Sequence, residues 1–327
     1  MNTVKWGILG TARIAAMQVI PGLQEARSAE ATAVASRDPE RGRQFAANHN
    51  IDKVYGSYEE LLRDPDIDAV YIPLPNHLHA EWTIKAAEHG KHVLCEKPMA
   101  RTVAEATAMI DACNRHGVMF LEAFMYQFHP QWMHVQELLA AGEIGDVRVI
   151  DSRFTFRLDD SSDIRLNPAM GGGALYDVGT YCAHASRLVM DAEPIAATAM
   201  AYSPNADNVD TTLCATLAFS GARFAHFHCS FDASVEQSLD IFGTLGKITV
   251  TLPFRPDKGT PELRVEGKSG ASTQSFDPVN VYTLQAAYMS DMILAGEKSN
   301  PYVERSLGQM RTLDRLYAAC AWINNQE

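Results

Sequence analysis

The chain has 327 residues and little of what a secreted, membrane-bound or polyanion-binding protein needs. Its six cysteines, Cys95, Cys113, Cys182, Cys214, Cys229 and Cys320, are scattered, with no C-x-x-C pair and no tight cluster. That spacing speaks against a disulfide frame or a zinc knuckle and fits reduced, mostly buried thiols, so a cytoplasmic location is expected. No apolar run approaches the roughly 18 residues of a membrane span. The first residues read straight into a strand rather than into a charged leader followed by an apolar stretch. Positive charge is also scarce: 28 Lys plus Arg face 40 acidic residues, a formal net charge of -12. Such a balance argues against nucleic acid and anionic membranes as partners but permits a local basic pocket for one phosphate. Internal repeats and low-complexity segments are lacking too.

What is present is a 46% hydrophobic fraction, ample for a core in a chain long enough for two domains. The first third alternates short apolar strands with helical patterns. Strands are expected at 4–9, 31–35, 69–73, 92–95 and 118–122, with helices at 13–25, 39–48, 80–88 and 103–115. Strands separated by helices, some apolar on both sides like Val70-Tyr71-Ile72, imply a parallel sheet covered on both faces. Beyond about residue 123 the pattern changes. A helix at 131–140 leads to a strand at 147–156, a polar loop at 158–168 and a helix at 174–190. Residues 195–276 are mostly β-type runs with short turns, which predict a largely antiparallel sheet. Helices at 282–295 and 304–322 close the chain. The expected boundary falls between domains 1–122 and 123–327.

The most informative turn is Gly7-Ile8-Leu9-Gly10-Thr11-Ala12-Arg13-Ile14-Ala15. It ends the first strand and opens the first helix as G-x-A-x-x-A, a relaxed form of the dinucleotide fingerprint. That fingerprint requires a tight turn, a close approach of backbone to a pyrophosphate, and a helix N-terminus facing its charge. About twenty residues further on, where an NAD site carries an acidic residue for the ribose, stand Ser36 and Arg37. A hydroxyl and a guanidinium suit a 2′-phosphate. NADP is therefore expected over NAD, with a solvated surface arginine as the alternative.

Three further segments complete a pattern: Pro73-Leu74-Pro75-Asn76-His77-Leu78-His79, Glu96-Lys97-Pro98, and Gly171-Gly172-Gly173-Ala174-Leu175-Tyr176-Asp177-Val178-Gly179-Thr180-Tyr181. With the N-terminal turn and Gly243-Thr244-Leu245-Gly246, these resemble the glucose–fructose oxidoreductase/inositol dehydrogenase (Gfo/Idh/MocA) family along essentially the whole chain. The nearest branch is similar to the dimeric dihydrodiol dehydrogenases and NADP-dependent D-xylose dehydrogenases. The resemblance implies an α/β fold: an N-terminal Rossmann domain and a C-terminal α+β domain with a large, mostly antiparallel, open-faced sheet. That sheet would make a homodimer or homotetramer. The cofactor set it implies, joined to the residues above, is Gly10, Thr11, Ala12, Arg13, Ile14, Ser36, Arg37, Pro75, Asn76, His79, Glu96 and Lys97.

The resemblance also implies a catalytic set of Lys97, Asp177 and Tyr181. On its own, Lys97 reads equally as an exposed residue at a helix start. Asp177 and Tyr181 are four apart on an expected helix and so share a face. A tyrosine titrates near 10 and needs neighbouring positive charge to act as a base near neutrality; Lys97 would supply it. Inositol dehydrogenase-like members carry His where this chain has Tyr181, which favours the dihydrodiol and sugar branch. Tyr126, Phe154 and Phe156 could stack on a sugar, and Arg157 and Arg165 could bind its hydroxyls; each is also ordinary packing or a solvated charge. The H-x-H pairs His77/His79 and His226/His228 lack a third metal ligand nearby in sequence, so no metal is expected. The function expected is NAD(P)-dependent hydride transfer at a hydroxyl or carbonyl carbon of a sugar or cyclic polyol, aldose 1-dehydrogenase-like. The alternatives are a ketosugar reductase or dihydrodiol dehydrogenase at another carbon, a non-catalytic NADP-sensing regulator, or an NAD-dependent glycosidase.

Overall fold

The structure is a computed structural model that describes residues 2–205 and 207–324. The chain up to Met125 forms one compact unit with Asn280–Leu307, and Tyr126–Val279 forms a second with the residues from Gly308 onward. Both units are therefore discontinuous in sequence.

The chain opens with β1 (Val4–Leu9), a π-helical turn (Ala15–Val19) running into α1 (Ile20–Glu25), β2 (Ala29–Ala35) and α2 (Pro39–Asn48). Then come β3 (Lys53–Tyr55), α3 (Tyr58–Arg63), β4 (Ala69–Ile72), α4 (His79–Glu88), β5 (His92–Cys95), α5 (Val103–His116) and β6 (Phe120–Glu122). The six strands make one parallel sheet in the order β3-β2-β1-β4-β5-β6. Strands β4 and β6 are buried at every position, as expected of a sheet covered on both faces. The order reverses between β1 and β4, and ligands of open α/β sheets bind beyond the strand ends at such a point.

The rest of the chain continues with α6 (Pro130–Ala140), β7 (Val147–Arg157), a π-helical turn (Leu175–Gly179) leading into α7 (Thr180–Met190), β8 (Ala196–Ser203), β9 (Thr212–Phe219) and β10 (Arg223–Ser230). After these come β11 (Asp232–Gly243), β12 (Lys247–Thr251), β13 (Glu262–Gly267), β14 (Gly270–Ser275), α8 (Val281–Leu294), α9 (Tyr302–Ala318) and β15 (Cys320–Asn324). Nine of these strands form one sheet in the order β14-β13-β12-β11-β7-β10-β9-β8-β15. It is mostly antiparallel, with parallel pairs only at β7/β10 and β8/β15 among the described residues. Strict alternation puts Ile150, Leu213, Leu217, Ala225, Leu239, Ile241, Ile248 and Val250 on an inner face with no exposure. α7 packs on that side against β7 and β10. The opposite face leaves Met200 54% and Phe224 41% exposed, with His226 and His228 beside them.

Two expectations need correction. The boundary at 122/123 misses that α8 belongs with the first unit. Trp6 Nε1 donates to Ser290 Oγ at 3.1 Å, and Gly22 is bare because a Cβ there would lie 2.8 Å from the Tyr282 carbonyl carbon. That close approach of α1 and α8 has no sequence signal beyond one glycine. The closing helix also ends at Ala318 rather than at 322. Cys320–Asn324 instead alternates half-buried with exposed residues as an edge strand beside β8, and Tyr317 stacks on Trp322 with centroids 6.2 Å apart.

Candidate active site

In the first unit the fingerprint turn sits at the carboxyl end of β1. Gly10 has φ +98°, a conformation that disfavours a side chain, and a Cβ there would stand 3.2 Å from Leu74 Cδ2. The turn opens the π-helical start of the first helix, so backbone N–H groups face the strand ends. At the end of β2, Ser36 is 5% exposed and its Oγ accepts from Asp38 N at 3.2 Å. Asp38 is itself occupied as the cap of α2, accepting from Glu40 N and Arg41 N. Burial raises the pKa of the Tyr58 phenol, while the positive charges of Arg37 and Arg41 pull it down. Arg41, missed from the sequence, reaches back from the first turn of α2 and donates through Nη2 to Thr11 O at 3.2 Å.

Beyond β4 and β5 lie the other two motifs. His79 is fully buried, with Nε2 2.7 Å from Leu74 O and Nδ1 2.9 Å from Pro98 O. Burial lowers its pKa to about 4 against the pull of those two carbonyls. It sits between the segment before Pro75-Asn76 and the segment after Lys97, and the neutral ring, with a single N–H, donates to one of the two carbonyls. Both ring nitrogens of His79, which is expected among the cofactor-binding residues, thus face protein carbonyls. Glu96 accepts from the Tyr71 hydroxyl at 2.6 Å and from Lys97 N at 3.3 Å. Lys97–Pro98 is a cis peptide, and Met99 N donates to the buried Glu122 at 2.9 Å. No helix starts at Pro98; α5 begins only at Val103, so the alternative reading of Lys97 as a helix-start residue falls away.

The second unit carries Asp177 on the π-helical turn and Tyr181 in the first turn of α7. π turns of this kind concentrate at functional sites. The turn is held at its start by Asp210, which is fully buried and accepts from Leu175 N at 2.7 Å and from the Tyr317 hydroxyl at 2.7 Å. Burial pushes this carboxyl up to about 6. The glycine run is required by close packing: a Cβ at Gly172 would collide with Arg165 O, and one at Gly173 with the Asp210 carboxylate. Asp177 accepts from Arg165 Nε at 2.7 Å.

The Tyr181 ring, 6% exposed, meets Phe154 at 5.5 Å, Phe254 at 5.6 Å and Tyr126 at 5.9 Å between centroids. Phe254 comes from a loop after β12 and had no sequence signal. Tyr126 is 0% exposed and bonds His184 Nδ1 at 2.6 Å, so it backs Tyr181 rather than meeting a ligand. Phe156 and Arg157, also expected to meet substrate, have protein partners. Phe156 packs on Phe231 at 5.2 Å, and Arg157 is 77% exposed and paired with Asp159. Among the described residues no group of three or more His, Cys, Asp or Glu is placed to share a metal ion. His226 Nδ1 lies 2.9 Å from Thr216 Oγ1.

The first unit's residues fit a dinucleotide. The bare Gly10 cradle admits a pyrophosphate against the helix start, and Ser36, Arg37 and Arg41 offer one hydroxyl and two guanidinium groups at the end of β2. Sheet order and glycine turn together define an oxidoreductase with a dinucleotide-binding Rossmann fold. Comparison with known proteins makes the assignment specific. Residues 4–124 match the model of an oxidoreductase family with an NAD-binding Rossmann fold, and residues 132–249 match the GFO/IDH/MocA C-terminal domain. A D-xylose 1-dehydrogenase (NADP+) of Haloferax volcanii is 39% identical over 95% of this chain and 96% of its own. A trans-1,2-dihydrobenzene-1,2-diol dehydrogenase of Xenopus laevis is 31% identical over 94% of both. The crystal structure of a 3-ketoreductase from Actinomadura kijaniata in complex with NADP and TDP-benzene superposes with a TM-score of 0.91 over 99% of both chains at 29% identity. The chain belongs to the Gfo/Idh/MocA family and is an NAD(P)-dependent oxidoreductase.

Proposed function

We propose that the protein is an NADP-preferring dehydrogenase or reductase acting on a CH–OH group of a sugar or related cyclic polyol, most closely an aldose 1-dehydrogenase. The observation that carries this reading is Tyr181, ringed by aromatic side chains four residues after an Asp177 paired with Arg165. Gly10, Thr11, Ala12, Arg13 and Ile14 would hold the cofactor, with Pro75, Asn76, Glu96 and Lys97 for its nicotinamide end, and when bound it would supply the hydride-exchanging carbon. The protein's own task is the proton. Tyr181 Oη removes it from the reacting hydroxyl. A neighbouring positive charge would favour the phenolate, the role that the family resemblance gives Lys97, and Asp177 orients the phenol. Apolar faces of Phe154 and Phe254 suit the C–H face of a pyranose.

The xylose dehydrogenase relative supports oxidation at the anomeric carbon. The dihydrodiol dehydrogenase and the ketoreductase support the second reading, the same chemistry at another ring carbon. Ser36, Arg37 and Arg41 support NADP over NAD. The six free cysteines fit a cytoplasmic location, and the exposed apolar side chains on the outer face of the nine-stranded sheet fit a homodimer or homotetramer formed there.

The test is a panel of aldoses, ketosugars and dihydrodiols followed by nicotinamide absorbance with NADP and NAD. Lys97→Met and Tyr181→Phe are expected to lower kcat on the best substrate by about a hundredfold or more, with KM for NADP within about threefold for Tyr181→Phe. Unchanged turnover in both variants, or no substrate in any class, sinks the reading.

A further inference from the structure

Arg165 is joined to the catalytic turn twice, by side chain and by backbone. Its Nε donates to Asp177 Oδ2 at 2.7 Å, and its Nη1 lies 3.3 Å from both oxygens of Asp163. Asp163 also accepts from Arg165 N at 2.9 Å, capping the short turn Ile164–Leu166 and fixing the guanidinium from its far side. The Arg165 carbonyl accepts from Gly173 N at 2.9 Å and is the atom that leaves no room for a Cβ on Gly172. One residue therefore sets both the backbone that launches the Asp177 turn and the charge opposite the Asp177 carboxylate. The side chains are 41% exposed for Arg165 and 17% for Asp177, so neither is a freely solvated charge.

We propose that Arg165 is a positioning residue for the reaction, holding Asp177 ionised and aimed so that Asp177 acts on the Tyr181 phenol as a fixed charge and not as a proton donor. This rests on the roles given above to Asp177 and Tyr181. A carboxyl group beside a proton-transferring phenol can either cycle a proton itself or stay anionic throughout. A guanidinium bonded to it selects the second state, because the pair stabilises the carboxylate over the acid. Asp177 in turn raises the Arg165 pKa further, chiefly by its charge. The arginine fork matters as well as its charge, since separate nitrogens serve Asp177 and Asp163 where a lysine would offer a single point charge. Ionisable groups on the elements packed there include Asp163 on the loop, Tyr176 on the π-helical turn, Tyr181, Cys182, His184 and Arg187 on α7, Cys229 on β10 against Gly179, and Asp210 with Tyr317 behind Gly173. Arg165 was expected to bind substrate hydroxyls; its bonds to Asp177 and Asp163 assign it instead to the carboxylate.

The experiment uses the full chain and the panel sugar that turns over fastest. Arg165→Met, Arg165→Lys and Arg165→Gln are compared with Asp177→Asn and Tyr181→Phe for kcat, both KM values and melting temperature. For Arg165→Met the expectation is a fall in kcat of about tenfold or more with KM for NADP within about twofold. Loss of the counter-ion raises the Asp177 pKa, so the acidic limb of its kcat/KM profile should move up by about one pH unit. Arg165→Lys should restore part of the rate and return the limb partway. If Arg165→Met does not melt cooperatively, Arg165→Gln, which keeps a donor without the charge, is held to the same shift. An acidic limb left in place overturns the proposal, whether kcat is retained or the sugar KM alone rises, the latter marking Arg165 as a substrate contact. Full activity of Asp177→Asn and Tyr181→Phe would overturn the underlying reading, an outcome distinct from any result at Arg165.

Discussion

Arg41 and Arg43 stand two residues apart on α2 and illustrate what a single side chain's setting decides. Arg43 pairs with Glu40 at 2.6 Å on an exposed surface, an arrangement worth little. Arg41 turns the other way and bonds the carbonyl of the fingerprint turn. Nothing in the sequence separates the two, whereas Arg37 was legible because it follows the end of a strand at a fixed distance from the glycine turn. If Arg41 and Arg37 bind a 2′-phosphate, removing either loses a charge-assisted hydrogen bond of about 1.5–3 kcal/mol. Arg41→Ala and Arg37→Ala should each raise KM for NADP by about tenfold or more while leaving KM for NAD within about twofold. Equal changes for the two cofactors in steady-state kinetics would refute this placement. Lys97, Asp177 and Tyr181 are proposed through the family resemblance of their motifs; Phe254 had no such signal, because it joins the Tyr181 ring from a loop with no periodicity.

At the scale of the element, the π-helical turn and α7 carry the proposed catalytic residues of the second unit, and Asp210 holds the start of the turn. Its pKa of about 6 lies above that of an ordinary carboxyl, so the folded state holds this proton more tightly than the unfolded chain. The resulting stabilisation is complete below the unfolded value of about 3.9 and is lost as pH rises through about 6. The difference in melting temperature between the native protein and Asp210→Asn should therefore change between about pH 4 and 6, with the native protein losing ground as pH rises. Tyr317→Phe removes a donor that favours the carboxylate, and should carry that loss to higher pH. A difference that stays flat with pH would exclude the assignment. The Gly-Gly-Gly run announced a close approach, but not what it approaches: the Arg165 carbonyl and the Asp210 carboxylate are 7 and 37 residues from Gly172 and Gly173 respectively. β3 escaped notice because three half-buried residues give no alternation to read.

For the whole molecule, the acidic balance of -12 and the basic groups at the end of β2 coexist because a pocket needs only two or three charges. Fold class was the most legible property: alternating strands and helices can bury their apolar faces only in a covered parallel sheet, and closely spaced β runs only in hairpins. The outer face of the nine-stranded sheet is where self-association is expected. Sedimentation of the native protein should give a species larger than the 36.0 kDa chain. Phe224→Lys with Met200→Lys should give a monomer of unchanged melting behaviour, since both side chains are exposed on that face. A native protein that sediments as a monomer at all concentrations would contradict this.

The interleaving of the two units bears on how the chain is made. The first needs Asn280–Leu307, and the second needs the segment from Gly308 that supplies Tyr317 and β15. Domains commonly fold in turn as they leave the ribosome, the N-terminal one first. Here the Rossmann sheet can form early, but α8 reaches it only after more than 150 intervening residues have been synthesised. Neither unit is complete before residues beyond 280 have been synthesised, and until then the α1 surface around Gly22 and the edge of β8 stay uncovered.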